Sequence, residues 1–329
     1  MELLNKIKDA AKSIPQVTLM EVCGGHTRVV IDSGIRGALP KNISLVSGPG
    51  CPVCVTSQKD IDFMIALAKE GVPIATYGDM LRVPGSVGSL EEARSEGAKV
   101  TVITSTTDAT LTKKHVFFGI GFETTAPMTT YLLKKGISVY STHKLMPPAM
   151  SALVKDTKIN GFIAPGHVST IIGANAYQNI PVSQVITGFT PEKILHSIYL
   201  LLLEIKNNNK RVINDYKEAV TPEGNTTAKK LMNEHFITID AEWRGLGTID
   251  NSGLDVRDDN LNAKKIYKDI FKKVPEPKKT ACKCKDILRG KITPNMCPLY
   301  SNACTPNNPK GACMVSSEGT CRIYYEGGV

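Results

Sequence analysis

The chain has 329 residues, enough to bury a large core and more than one domain usually takes, so two or three domains are expected. Its formal net charge of +9 raises the question of a nucleic-acid partner, but the lysines are spread out. The densest basic segments, 264–273 and 278–285, lack the interleaved aromatics that stack bases, and no apolar run is long enough to span a membrane.

Residues 1–16 read as a short amphipathic helix with Leu3, Leu4, Ile7 and Ala10 or Ala11 on one face, without the apolar core of a secretory signal. A cytoplasmic protein is expected. There thiols stay reduced, and clustered cysteines read as metal ligands or redox groups.

From 17 to 205, short β-branched runs alternate with amphipathic helical runs, the pattern of βα units around parallel sheets. Strands are predicted at 17–22, 43–47, 74–77, 100–104, 116–120, 137–141, 161–164 and 185–187. A helix is predicted at 60–70, with Ile61, Met64, Ile65 and Ala68 as its apolar stripe and Gly71 as its stop. The polar stretch 110–114 divides the eight strands into two blocks of four, which favours two small domains over one closed barrel.

Beyond them come a helix at 194–205, a polar break at 207–210, a helical run near 226–234 and a short strand at 236–240. A basic amphipathic helix follows, with Ile266, Tyr267, Ile270, Phe271 and Val274 on one face and Pro275 at its end. The fold class expected is α/β: two small parallel-sheet domains facing a cleft, 1–113 and 114–210, plus a cysteine-rich iron–sulfur domain, 211–329.

The nine cysteines fall into two sets. Six, Cys282, Cys284, Cys297, Cys304, Cys313 and Cys321, crowd a polar tail too poor in apolar residues to fold without a staple. Cys282, Cys297, Cys304 and Cys321 have long, unequal spacings. Such spacings suit an iron–sulfur cluster better than the close ligand pairs of structural zinc sites. Cys284 and Cys313 are left as spare ligands, inert thiols or a dithiol pair.

The other three lie in glycine-rich turns after strands, where parallel sheets place their ligand crevices. Cys51 and Cys54 form a CxxC at a strand-to-helix junction, which favours a thiolate and permits a reversible disulfide. Cys23, in CGGH, has His26 near enough to accept a proton or serve as a second ligand. Glu123, in GIGFETTAP, either caps the helix after it or takes part in catalysis, and His167, in PGHVS, is equally ambiguous.

Together, MEVCGGHT at 20–27, GPGCPVCVT at 48–56, GIGFETTAP at 119–127, PGHVS at 165–169 and the cysteine tail through CPLY, CTP and GACMVSSEG resemble the HypD family of hydrogenase maturation factors. The resemblance spans the chain. It implies an assembly scaffold with redox activity on which the Fe(CN)2CO moiety of [NiFe]-hydrogenases is built. The implied partners are the HypC chaperone and, for cyanide delivery, HypE with HypF; outside those complexes the chain is expected to be a monomer. A [4Fe-4S] cluster is implied at Cys282, Cys297, Cys304 and Cys321, and a transient mononuclear iron at Cys23 with His26 close by. Cys51 with Cys54 is implied as a cleft thiol–disulfide pair, and Cys284 with Cys313 as a second pair relaying electrons from the cluster. The alternatives are a standalone cluster-dependent thiol–disulfide oxidoreductase and a zinc-stapled binding module.

Overall fold

The structure, a computed structural model, describes residues 2–277 and 280–328; two lysines of the second basic segment, 278 and 279, lie outside that range. All eight predicted strands form: β1 Val17–Glu21, β2 Ile43–Ser47, β3 Ile74–Tyr77, β4 Val100–Ile103, β5 Val116–Gly119, β6 Ser138–Ser141, β7 Gly161–Pro165 and β8 Ser183–Thr187. Three lie beyond them: β9 Val212–Asn214, β10 Phe236–Trp243 and β11 Gly247–Val256. The fold is α/β with two parallel sheets, ordered β2-β1-β7-β8-β9 and β4-β3-β5-β6, and an antiparallel β10–β11 hairpin.

The expected grouping into successive blocks of four strands is corrected. β1 and β2 share a sheet with β7 and β8, while β3 to β6 form a second sheet inserted between them. The polar stretch 110–114 therefore joins two strands of one sheet, and the 113/114 limit falls inside it. The physical reason lies in β1, which sits between β2 and β7 with Leu19 and Met20 wholly buried on its two faces. Parallel partners need a crossover, and this one is long. Asn160 fixes the return, its side chain accepting from Thr18 N (2.8 Å) and its own amide donating to Thr18 O (2.8 Å).

Three apolar clusters hold these layers. Below the five-stranded sheet, Ile7 of helix Glu2–Ala11 packs with Ile194, Ile198, Leu201 and Leu202 of helix Pro191–Lys206. Beside the four-stranded sheet, Phe117 and Val139 meet Leu132, Met232 and Phe236. Between the sheets lies the largest cluster, which takes in Cys51, Cys54 and five tail cysteines.

Local chemistry explains the remaining boundaries. Helix Gln58–Lys69 starts two residues early because Ser57 caps it, its Oγ accepting from Asp60 N at 3.1 Å, and it stops at Gly71, whose φ of +86° suits only glycine well. The expected basic helix is two short ones, Ala263–Ile266 and Lys268–Lys273, interrupted at Tyr267. Phe271 still reaches the core, 5.3 Å from Phe63. Among the described residues no helix is long and apolar enough to cross a membrane.

Candidate metal and redox centre

β1 and β2 run parallel in register, so the turns that follow them emerge at the same edge of the sheet. Cys23 precedes helix Gly24–Asp32, and Cys51 precedes the short helix Pro52–Val55. The two turns touch through backbone. Gly24 N donates to Gly50 O at 3.4 Å, and a Cβ on Gly50 would sit 2.3 Å from Cys23 N. Only glycine permits that approach. Cys51 and Cys54 are joined as a disulfide with Cα atoms 5.3 Å apart, and both are buried.

Burial pushes the Cys23 thiol up to about 12, against the pull of the His26 and Gly25 amides. The group is thus a protonated thiol at neutral pH, and a metal binding there must displace its proton. Glu21 is wholly buried beneath it, accepts from Thr27 Oγ1 at 2.7 Å, and is raised to about 7 by desolvation. His26 is also wholly buried, and burial lowers it to about 4, so its ring is neutral.

Phe189 lies between His26 and His167, with ring centroids 4.8 Å and 4.1 Å away. The structure therefore brings His167 to the Cys23 side of the cleft, separated from His26 by one aromatic ring. Phe189 was not singled out in the sequence. Its signal was position alone, two residues beyond the end of β8, where a parallel sheet exposes its crevice.

Glu123 does not cap the helix that follows it, Ala126–Lys134. Its Oε1 accepts from Met146 N at 2.9 Å and so caps a different helix, Met146–Asp156, while its buried Oε2 has no hydrogen-bond partner among the described residues. Desolvation raises its carboxyl to about 7. Burial raises the Tyr177 hydroxyl, which is bonded to Ser169 at 2.9 Å, and Glu123 and Cys23 both lie close enough to add to that shift.

The tail gathers its six cysteines around one another. Cys284 and Cys313 are both buried, with sulfurs 3.2 Å apart. Cys282 is pushed up to about 12 by burial together with the nearby Cys284, Cys297 and Cys304. Cys321 has Cys313 as a hydrogen-bond partner and Cys282, Cys284 and Cys304 as thiol neighbours. The tail also offers room and donors to sulfur: Lys310 N donates to Cys304 Sγ at 3.3 Å, and a Cβ on Gly311 would fall 3.0 Å from Cys282 Sγ. An all-thiol set with amides directed at sulfur fits an iron–sulfur cluster. Among the described residues, no three His, Cys, Asp or Glu side chains group as a site for a metal ion.

The tail docks on both N-terminal turns. A Cβ on Gly24 would meet Glu318 Cβ at 2.6 Å, Arg28 pairs with Glu326 at 2.6 Å, and Ser316 Oγ donates to Asp79 at 2.7 Å. Helix Ala312–Val315, which carries Cys313, packs on helix Pro52–Val55, which carries Cys54. Arg244, from the tip of the β10–β11 hairpin, donates to Val55 O (2.8 Å) and Thr56 O (2.9 Å) and places its charge near Cys284. The two cysteine pairs thus share one core.

The family described as HypD, hydrogenase formation hypA family, matches residues 1–328. A putative hydrogenase expression/formation protein of Methanocaldococcus jannaschii is 42% identical, over 98% of this chain and 95% of that protein. Hydrogenase maturation factors HypD from Azotobacter vinelandii and Escherichia coli K12 are 40% and 35% identical, covering 98% and 99% of this chain and 93% and 94% of their own lengths.

Proposed function

This chain belongs to the HypD family of hydrogenase maturation factors, and from that premise we propose that it holds an iron ion at Cys23 while cyanide and carbon monoxide ligands are placed on it. The partners in this reading are a HypC chaperone, which shares the iron, and HypE with HypF, through which cyanide arrives. The setting is the cytoplasm. The observation that carries the reading is the meeting of the Cys23 turn, the Cys51–Cys54 disulfide and the cysteine tail in one core.

Iron is the cargo here. A soft thiolate suits an iron centre carrying cyanide and carbon monoxide, and Cys23 yields that thiolate by losing its proton as iron binds. Glu21, raised to about 7 and accepting from Cys23 N at 3.5 Å, is a stronger base for it than the buried His26, which is lowered to about 4. Glycines at 24, 25 and 50 keep the turn free of side chains that would crowd the metal's small ligands.

Cys282, Cys297, Cys304 and Cys321 would hold a [4Fe-4S] cluster, which when bound supplies single electrons. The chain's own sulfurs do the exchange. As a dithiol, Cys284 and Cys313 attack the Cys51–Cys54 disulfide through a mixed disulfide, leaving Cys284–Cys313 oxidised and Cys51 and Cys54 as thiols. Two electrons and two protons move in that step, from one pair to the other. A freestanding oxidoreductase needs its reactive sulfur at the surface. Here Cys51 is 3% and Cys54 0% exposed, which favours internal exchange.

Infrared spectroscopy of the anaerobic complex with the chaperone tests the iron assignment. Cyanide and carbon monoxide stretching bands are expected in the wild type and not in Cys23→Ala. Bands that persist in Cys23→Ala would overturn it.

A further inference from the structure

A second polar pocket lies away from the cysteine centre, where the carboxyl end of β6 meets the β10–β11 hairpin and the first turn of helix Gln58–Lys69. It has a volume of about 180 Å³. Lys144 lines it and is 4% exposed. Its Nζ donates to Glu242 O at 2.7 Å, and among the described residues no carboxylate comes within 4.0 Å of it. A buried ammonium with three donors normally carries a counter-charge, because desolvating it alone is costly.

The acidic groups around the pocket are already engaged. Asp60 accepts from Tyr140 Oη (2.6 Å) and Ser57 Oγ (2.8 Å), and Asp240 accepts from Asn251 N (2.8 Å). Asp255 accepts from Asn262 Nδ2 (3.0 Å) and lies 3.5 Å from Lys264 Nζ. Lys264 also lines the pocket, with its Nζ 5.3 Å above the Tyr140 ring, and Glu242 is exposed at the mouth. The pocket therefore presents the ammonium groups of Lys144 and Lys264, the first buried with donors to spare, alongside Lys59 and the carboxylates of Asp60, Asp240 and Glu242. Burial lowers Lys144 to about 8, the like charge of Lys264 adds to that shift, and the charges of Asp60 and Glu242 oppose it.

We propose that this pocket is a binding site for a small oxyanion, a carboxylate or phosphate group, received by Lys144 and Lys264. The ligand supplies a direct counter-charge at Lys144 Nζ, which the fold gives only at a distance from Asp60 and Glu242, and its size is limited by the cavity. The site is separate from the cysteines and does not depend on the maturation reading.

Calorimetric titration of the full chain, purified with its metal content intact, with acetate and separately with inorganic phosphate tests the proposal. Saturable one-to-one binding of at least one of them is expected, weakened at least tenfold by Lys264→Gln and abolished by Lys144→Met. Acetate alone would identify a carboxylate ligand, and phosphate alone a phosphate-bearing one. Lys144→Met carries a further readout: without anion it should melt higher than the wild type, since a buried unmatched charge is gone, and added anion should no longer raise its Tm. If Lys144→Met fails to fold, Lys264→Gln carries the test. No saturable binding of either anion, or binding unchanged in the variants, overturns the proposal.

Discussion

The two regions that carry cysteines are built by opposite means. In the N-terminal crevice, Cys23, Cys51 and Cys54 stand beyond the ends of β1 and β2, whose register is fixed over five residue pairs and whose Val17, Leu19, Met20, Ile43 and Leu45 are buried. In the tail, three short helices, Cys284–Leu288, Ala312–Val315 and Thr320–Glu326, are joined by turns, and the cysteines themselves form much of the buried surface. Hydrophobic burial and strand pairing position the first set. In the proposed reading, the second set depends on what its sulfurs bind.

The largest effect that would sharpen this contrast is removal of one tail ligand. Cys297→Ala should cost the tail several kcal/mol of metal-linked stability while the sheets stay folded. Limited proteolysis should cut between 280 and 328 with far-UV circular dichroism little changed; a global loss of structure would break the contrast.

Next in size is a pH effect confined to the crevice side. Glu123 is raised to about 7 from 4.5 by desolvation. Between those values the unfolded chain gives up its proton first, so stability falls as pH rises from about 4.5 to 7 and levels off above. Glu123→Gln removes that slope. Denaturant titrations should show a gain of roughly 2–3 kcal/mol at pH 8, and almost none at pH 4.

Gly50→Ala should destabilise by about 1–3 kcal/mol through overpacking, because the new methyl meets Cys23 backbone rather than a side chain that can swing away. It should also displace the Cys23 turn, and under the proposed iron assignment infrared bands would report that. The smallest stability change belongs to Cys51→Ser with Cys54→Ser. A disulfide closing so short a loop constrains the unfolded chain little, so chemical denaturation should move slightly while hydrogenase maturation in cells is lost. Intact maturation would remove the cleft disulfide from the mechanism.

Local pattern made much of this legible in the sequence. The eight strands between 17 and 187 are short runs of β-branched and aromatic residues bounded by turn residues, and Cys23 and Cys51 fall in the turns after two of them. Sheet membership was not legible, because β1 chooses β7 across more than a hundred residues through contacts such as Leu19 opposite Gly161 that no local window contains. The same limit hid the partner of Glu123, a helix terminus at Met146, and the wedge of Phe189 between two histidines. β11 escaped notice because its sequence, GTIDNSGLDV, is rich in turn residues, and pairing with β10 overrides them. Trp243 became meaningful only once its Nε1 met Ser252 Oγ at 2.9 Å and its ring stacked on Phe122.

Iron, sulfide and zinc analysis with an absorption spectrum on anaerobically purified protein tests the central claim most directly. The account predicts a brown protein with about four irons and matching sulfide, lost together in Cys304→Ser. A colourless protein holding zinc would contradict it and leave the tail as a structural staple with no electrons to pass.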